Sequence, residues 1–107
     1  MVKKRATGLK KAQEFIRAIK AEGVRINRAY LYGSYAQGTS RRDSDIDIAL
    51  VSKDFSGNRA VDWDKWIRFR RAIDLRIEPV FYRPNDFIDD DPLVWQIKQT
   101  GIRIPIA

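Results

Sequence analysis

Apolar residues recur at helical spacing near the start of the chain, at Leu9, Ala12, Phe15, Ile16 and Ile19, and predict a helix over residues 9–22 that Gly23 stops. Residues 29–32 then form a short apolar and aromatic run ending at a glycine, as a buried strand would. The polar stretch 34–44, which contains Gly38, predicts a loop or a short helix start. Alternation returns in Asp45-Ile46-Asp47-Ile48 and runs into Ala49-Leu50-Val51, so a second strand is expected there. Successive strand side chains point to opposite faces, which puts the two acids on one face while Ile46 and Ile48 anchor the other.

Ser56-Gly57-Asn58 reads as a connecting turn, and residues 60–71 as a second helix. Trp63, Trp66 and Phe69 recur every three residues there, interleaved with Arg68, Arg70 and Arg71. Such aromatics could stack on bases, but a core or partner-facing stripe is the commoner use. Residues 72–80 alternate again and predict a third strand, with Asp74, Arg76 and Glu78 on one face and Leu75 and Ile77 on the other. A turn or short helix is expected at 83–87. Asp89-Asp90-Asp91-Pro92 has the form of a helix start, with Asp91 as N-cap and Pro92 in the first turn. Leu93, Val94 and Ile97 give that last helix its apolar stripe, Gly101 ends it, and residues 102–104 add a short edge strand. Helices and strands in this order, without internal repeats, make an α/β chain, expected as one domain over residues 1–107.

Composition narrows the chemistry. Charged residues make up 33% and hydrophobic residues 44%, values of a globular rather than a disordered chain. No run approaches membrane-spanning length, and the basic Met1-Val2-Lys3-Lys4-Arg5 is followed by no apolar segment, so a cytoplasmic protein without membrane contact is expected. The absence of histidine and cysteine excludes Ser-His-Asp and Cys-His nucleophilic centres, thiol redox motifs and zinc fingers. Neither a Gly-x4-Gly-Lys-Ser/Thr segment nor a Gly-x-Gly-x-x-Gly occurs. The net charge of +7 favours anionic ligands: nucleotides, nucleic acid or an acidic partner. The basic cluster Lys3, Lys4, Arg5, Lys10 and Lys11 suits either a phosphate-binding arm or a solvated face.

The strand acids Asp45 and Asp47 have Cα atoms about 6.5 to 7 Å apart, from which two carboxylates can converge on a hard cation. Acids held together at a core edge need a positive charge between them, and Mg²⁺, shared with substrate phosphates, suits this set. Gly33 allows close backbone approach to a phosphate, and the Ser34 hydroxyl can bond its oxygens.

Gly33-Ser34, ten residues, then Asp45-Ile46-Asp47 resembles the nucleotidyltransferase superfamily that includes DNA polymerase beta, and most closely its minimal nucleotidyltransferases. The resemblance implies a nucleotidyltransferase core, a small mixed β-sheet with helices packed on one face. It implies an Mg²⁺-dependent enzyme that moves a nucleoside monophosphate, AMP from ATP above all, to a hydroxyl on a partner protein or nucleic acid. Asp45, Asp47 and a third acid would then be catalytic and hold two metal ions. Gly33 and Ser34 would hold the triphosphate, and the loop arginines Arg41 and Arg42 either contact it as well or are simply solvated. The third acid is assigned to Asp74, because Ile73-Asp74-Leu75-Arg76 looks like a strand of the polymerase; Glu78 is the competing choice. Minimal nucleotidyltransferases resembling this chain are often paired with a small helical HEPN-type toxin, for which they act as antitoxin. The other class left open is a non-catalytic module that binds nucleotide, RNA or a partner.

Overall fold

A computed structural model describes residues 2–106, with side-chain surroundings from Lys3 onward. Strands β1 (Arg28–Tyr32), β2 (Ile46–Val51), β3 (Ile77–Tyr82) and β4 (Ile102–Arg103) form one sheet in the order β3-β2-β1-β4. β1 runs antiparallel to β2 and β4, whereas β2 and β3 are parallel, so the sheet is mixed. The helices are α1 (Val2–Lys20), α2 (Gly33–Gln37), α3 (Arg59–Trp66) and α4 (Pro92–Thr100).

The alternation of β2 splits the interior in two. Ile46, Ile48 and Leu50 point to the main core, which α1 fills with Ala12, Phe15, Ile16 and Ile19, and to which Trp66 at the end of α3 contributes. Ala49 and Val51 point the other way, where α4 supplies Val94 and Ile97 beside Tyr82 and Phe87. α4 therefore shields part of the sheet face on which Asp47 stands. Between α1 and β1 a turn with Gly23 at φ +92° reverses the chain.

Helix α1 begins seven residues before the expected Leu9, so the N-terminal basic residues lie on a helix rather than on an extended arm. Arg5 Nε donates to the Ala36 carbonyl at 2.7 Å, tying this first turn to α2. The second helix is also revised. Its α-helical part stops at Trp66 and tightens into a 3-10 segment, Ile67–Ala72, which brings Phe69 within 5.8 Å of Trp66. Two members of the aromatic stripe are packing residues, since Trp66 is buried and Phe69 lies against the main core, whereas Trp63 is half-buried beside the Arg70 guanidinium.

The third strand starts at Ile77, five residues later than the pattern predicts. Residues 73–76 form a turn instead: the amides of Ile73 and Asp74 donate to the Arg70 carbonyl at 2.9 and 2.8 Å. Its closure explains the failed strand. One carboxylate, Asp74, accepts from the backbone amide, Nε and Nη2 of Arg76, a local arrangement that competes with extended pairing.

β3 is an edge strand carrying Pro79 at its middle. Backbone groups two residues apart point the same way across a strand. Arg76 and Tyr82 accept from Ile46 and Ser52 on the β2 side, whereas Ile77 bonds outward to the Asp74 carbonyl and to Arg70 Nη1. Pro79 shares the parity of Ile77, so the N–H it lacks belongs to the free border and no ladder bond is lost.

Candidate active site

The register of three strands assembles the site. Tyr32 on β1 pairs with Asp47 on β2, and Asp47 pairs with Glu78 on β3. One row of side chains, phenol, carboxylate, carboxylate, thus crosses the sheet at the end where α2 begins. Adjacent strands lie about 4.8 Å apart, so the two acids are close neighbours. Asp45 sits one residue before β2 and is exposed.

The electrostatics record this crowding. Burial pushes the Asp47 carboxyl up to about 6, and the charges of Asp45 and Glu78 push in the same direction. No cation opposes the shift. Among the described residues neither Asp45 nor Asp47 has an ion pair, while Glu78 meets Arg70 at 3.3 Å. Tyr32 is held well above the usual phenol range, first by burial and then by Asp47, and so remains a neutral hydroxyl.

Gly33 explains how the loop reaches these acids. Its φ of +71° lies in the left-handed region, and a Cβ built there would collide with the Asp47 carboxylate oxygen. Backbone and carboxylate share a space that a side chain would fill. α2 then turns once and ends at Gly38, whose φ of +75° lets its amide reach the Ser34 carbonyl. Ser34 is half-buried at the start of this turn.

The geometry places the two candidates for the third acid differently. Asp74 is absent from the row, lies before β3, and is occupied by a two-pronged bond with Arg76, with Nε at 2.9 Å and Nη2 at 2.7 Å. Hydrogen bonding to Arg76 holds its carboxyl below the ordinary value. Arg76 also donates to the Tyr35 hydroxyl at 2.8 Å and the Arg42 carbonyl at 3.0 Å. The Asp74-Arg76 pair is therefore a clamp that fastens α2 and the following loop to the base of β3. Glu78, the competing choice, is the acid placed beside Asp47.

Arg42 is exposed and lines a basic hollow of about 400 Å³ with Lys3, Lys4, Thr7, Ser40 and Arg41. Tyr32 beside Asp47 and the contact of Arg70 with Glu78 escaped the sequence reading, whereas a structural ion pair of Asp74 with Arg76 was the alternative to its catalytic role. The first two depend on which residues of separate elements stand opposite each other, and alternation within one strand carries no such information.

The donor set fits a divalent metal in kind. It consists of carboxylates, two of them without a counter-charge, beside a bend at Gly33 where the missing Cβ leaves room for the Asp47 carboxylate. Among the described residues no three His, Cys, Asp or Glu side chains enclose an ion by themselves. An open set of this sort suits Mg²⁺, which keeps water and substrate phosphates among its ligands.

Known proteins agree with this architecture. Protein adenylyltransferase MntA of Shewanella oneidensis is 33% identical over 86 residues, which cover 80% of this chain and 61% of that protein. The chain thus spans about three-fifths of that relative's length. A structure described as a candidate nucleotidyltransferase from Sulfolobus solfataricus superposes with a TM-score of 0.67 at 20% identity, covering 95% of this chain and 83% of the other. A toxin-antitoxin solved with AMP-PNP gives a TM-score of 0.65 at 24% identity over 92% of this chain and 73% of the other. A mutant MntA-HpeT toxin-antitoxin also gives 0.65, at 22% identity over 90% and 73%. The likeness to these solved structures establishes the fold. The family of polymerase beta nucleotidyltransferases matches residues 13–105, nearly the whole length, and the chain belongs to it.

Proposed function

We propose that this chain is a metal-dependent adenylyltransferase, moving AMP from ATP to a hydroxyl brought by a partner. The observation that carries this is the row of Asp47 and Glu78 beside Gly33, with Asp45 exposed just ahead of β2. The name of the MntA relative, a protein adenylyltransferase, supports the nucleotide and the protein acceptor. The toxin-antitoxin neighbours support a partner, for which a small helical HEPN-type protein is the candidate and the chain the antitoxin.

In this mechanism Asp45, Asp47 and Glu78 would hold Mg²⁺, which supplies charge stabilisation to the entering and leaving oxygens when bound. The Ser34 hydroxyl and the backbone at Gly33 hold the triphosphate in the bend. Tyr32, neutral throughout, gives the row a hydrogen-bonding edge. Glu78 orients the attacking hydroxyl and takes its proton, and Arg70 beside it sets the carboxylate's direction. The bond from the acceptor oxygen to the α-phosphorus forms as the α–β bridge breaks, and pyrophosphate leaves.

The test compares Asp47→Asn, Glu78→Gln and Asp74→Asn in ATP titration calorimetry with and without Mg²⁺, and in transfer of α-labelled AMP to a co-purified partner. The first two variants should lose transfer by about 10² to 10³-fold, while Asp74→Asn keeps Mg²⁺-dependent ATP binding. Full transfer by Asp47→Asn would rule out the mechanism. ATP binding without transfer by the wild type, whatever partner is supplied, would favour the non-catalytic module.

A further inference from the structure

A groove of about 840 Å³ runs between α1 and the 3-10 segment after α3. Both walls pack on the core side of the sheet, so the groove lies away from the face that carries Asp47. Its floor is apolar, formed by Ala18, Ala21, Phe69, Ala72 and Ile73. Its rim is basic. Arg17, Arg68 and Arg71 are exposed along it, and the acid on the rim, Glu14, lies 3.9 Å from Lys11. The Arg68 guanidinium rests 4.8 Å from the Phe69 ring centre and donates to the Lys65 carbonyl at 3.0 Å, which keeps it beside the apolar floor.

We propose that this groove docks an acidic amphipathic helix of a partner protein. A trough between two helical walls is shaped for a third helix, whose apolar stripe the alanines admit closely. Glutamates or aspartates flanking that stripe would meet the three arginines, and guanidinium forks suit carboxylates in two-pronged bonds. A nucleic acid would find phosphate partners on the rim but no row of exposed aromatic faces in an alanine-lined floor. A second copy would set three arginines against three, between chains that each carry a net charge of +7. Docking here leaves the carboxylate row open and goes beyond the transfer reaction, which it does not require.

The test uses the whole ¹⁵N-labelled chain and an 18-residue amphipathic peptide with leucine on one face and glutamate on the other, alongside the same peptide with lysine for glutamate. The glutamate peptide should shift the amide resonances of Ala18, Ala21, Phe69 and Ala72, and the lysine peptide should not. Arg68→Glu/Arg71→Glu should weaken the first peptide at least tenfold and admit the second, while Asp47→Asn should bind as wild type does. The proposal fails if neither peptide moves these resonances at millimolar concentration, or if both move them equally. It fails too if a single-stranded RNA moves them, or if sedimentation shows a dimer that the arginine reversals dissolve. Loss of transfer with peptide binding intact would count against the adenylyltransferase reading alone.

Discussion

At the scale of single residues, two positions separate chemistry from architecture. Asp74 carries the look of a catalytic acid but spends both oxygens on Arg76, and its side chain is only 13% exposed. Asp74→Asn should cost about 1 to 3 kcal/mol of stability. Its carboxyl lies below the ordinary value of 3.8, so the folded state favours the charged form. That contribution is complete above the ordinary value and disappears as pH falls through the depressed one. Denaturant unfolding of wild type and variant should therefore differ by a constant amount from about pH 5 to 8 and begin to converge only as pH falls below the ordinary value of 3.8. Gly33 is the second such position. Gly33→Ala would meet both a left-handed φ and the Asp47 carboxylate, so we expect a loss of about 1 to 2 kcal/mol together with a larger fall in ATP affinity than the destabilisation explains. Calorimetry at a temperature where the variant is fully folded reads the second effect by itself.

Between elements, one carboxylate joins two helix starts. Asn58 caps α3 by accepting from Ala60 and Val61, and Asp91 caps α4 by accepting from Leu93 and Val94. Asp91 also holds Arg59, the first residue of α3, at 2.9 Å. Asp91→Ala should cost about 1 kcal/mol through the lost cap. Asp91→Asn keeps the cap and should cost less, since an exposed ion pair contributes well under about 1 kcal/mol; equal losses in thermal unfolding would show that the pair, not the cap, carries the effect. This cap was legible in Asp91-Pro92, as were β1 and the body of β2, because period and punctuation are local signals. The start of β3 was not. Leu75 fits a buried alternating position in the sequence, yet it is 66% exposed, because the Asp74 side chain closes a turn before pairing begins. The parallel register that sets Glu78 beside Asp47 joins strands more than two dozen residues apart and leaves no trace in either strand by itself.

For the molecule as a whole, the carboxylate row works against stability. The Asp47 carboxyl is raised from 3.8 to about 6, so ionisation is harder in the folded state. Stability on this account falls as pH rises from about 4 to 6, and the penalty is complete above that window. Without divalent ions at pH 7.5, Asp47→Asn should be more stable by on the order of 1 kcal/mol after allowing for solvent screening. That amounts to about 4 to 8 °C in Tm. Near pH 4 the advantage should vanish, and adding Mg²⁺ with ATP should raise the Tm of wild type but not of the variant. A variant less stable than wild type at pH 7.5 would show that Asp47 is not crowded by its neighbours.

Pro79 has a consequence for how copies of this chain meet. With no donor at its centre and the Ile77 carbonyl already taken by Arg70, the outer rail of β3 offers an incoming strand a broken template. The opposite rail, β4, is two residues long. Concentrated solutions should consequently resist growth into fibrils through end-on sheet extension, and any assembly must be built from helical surfaces instead.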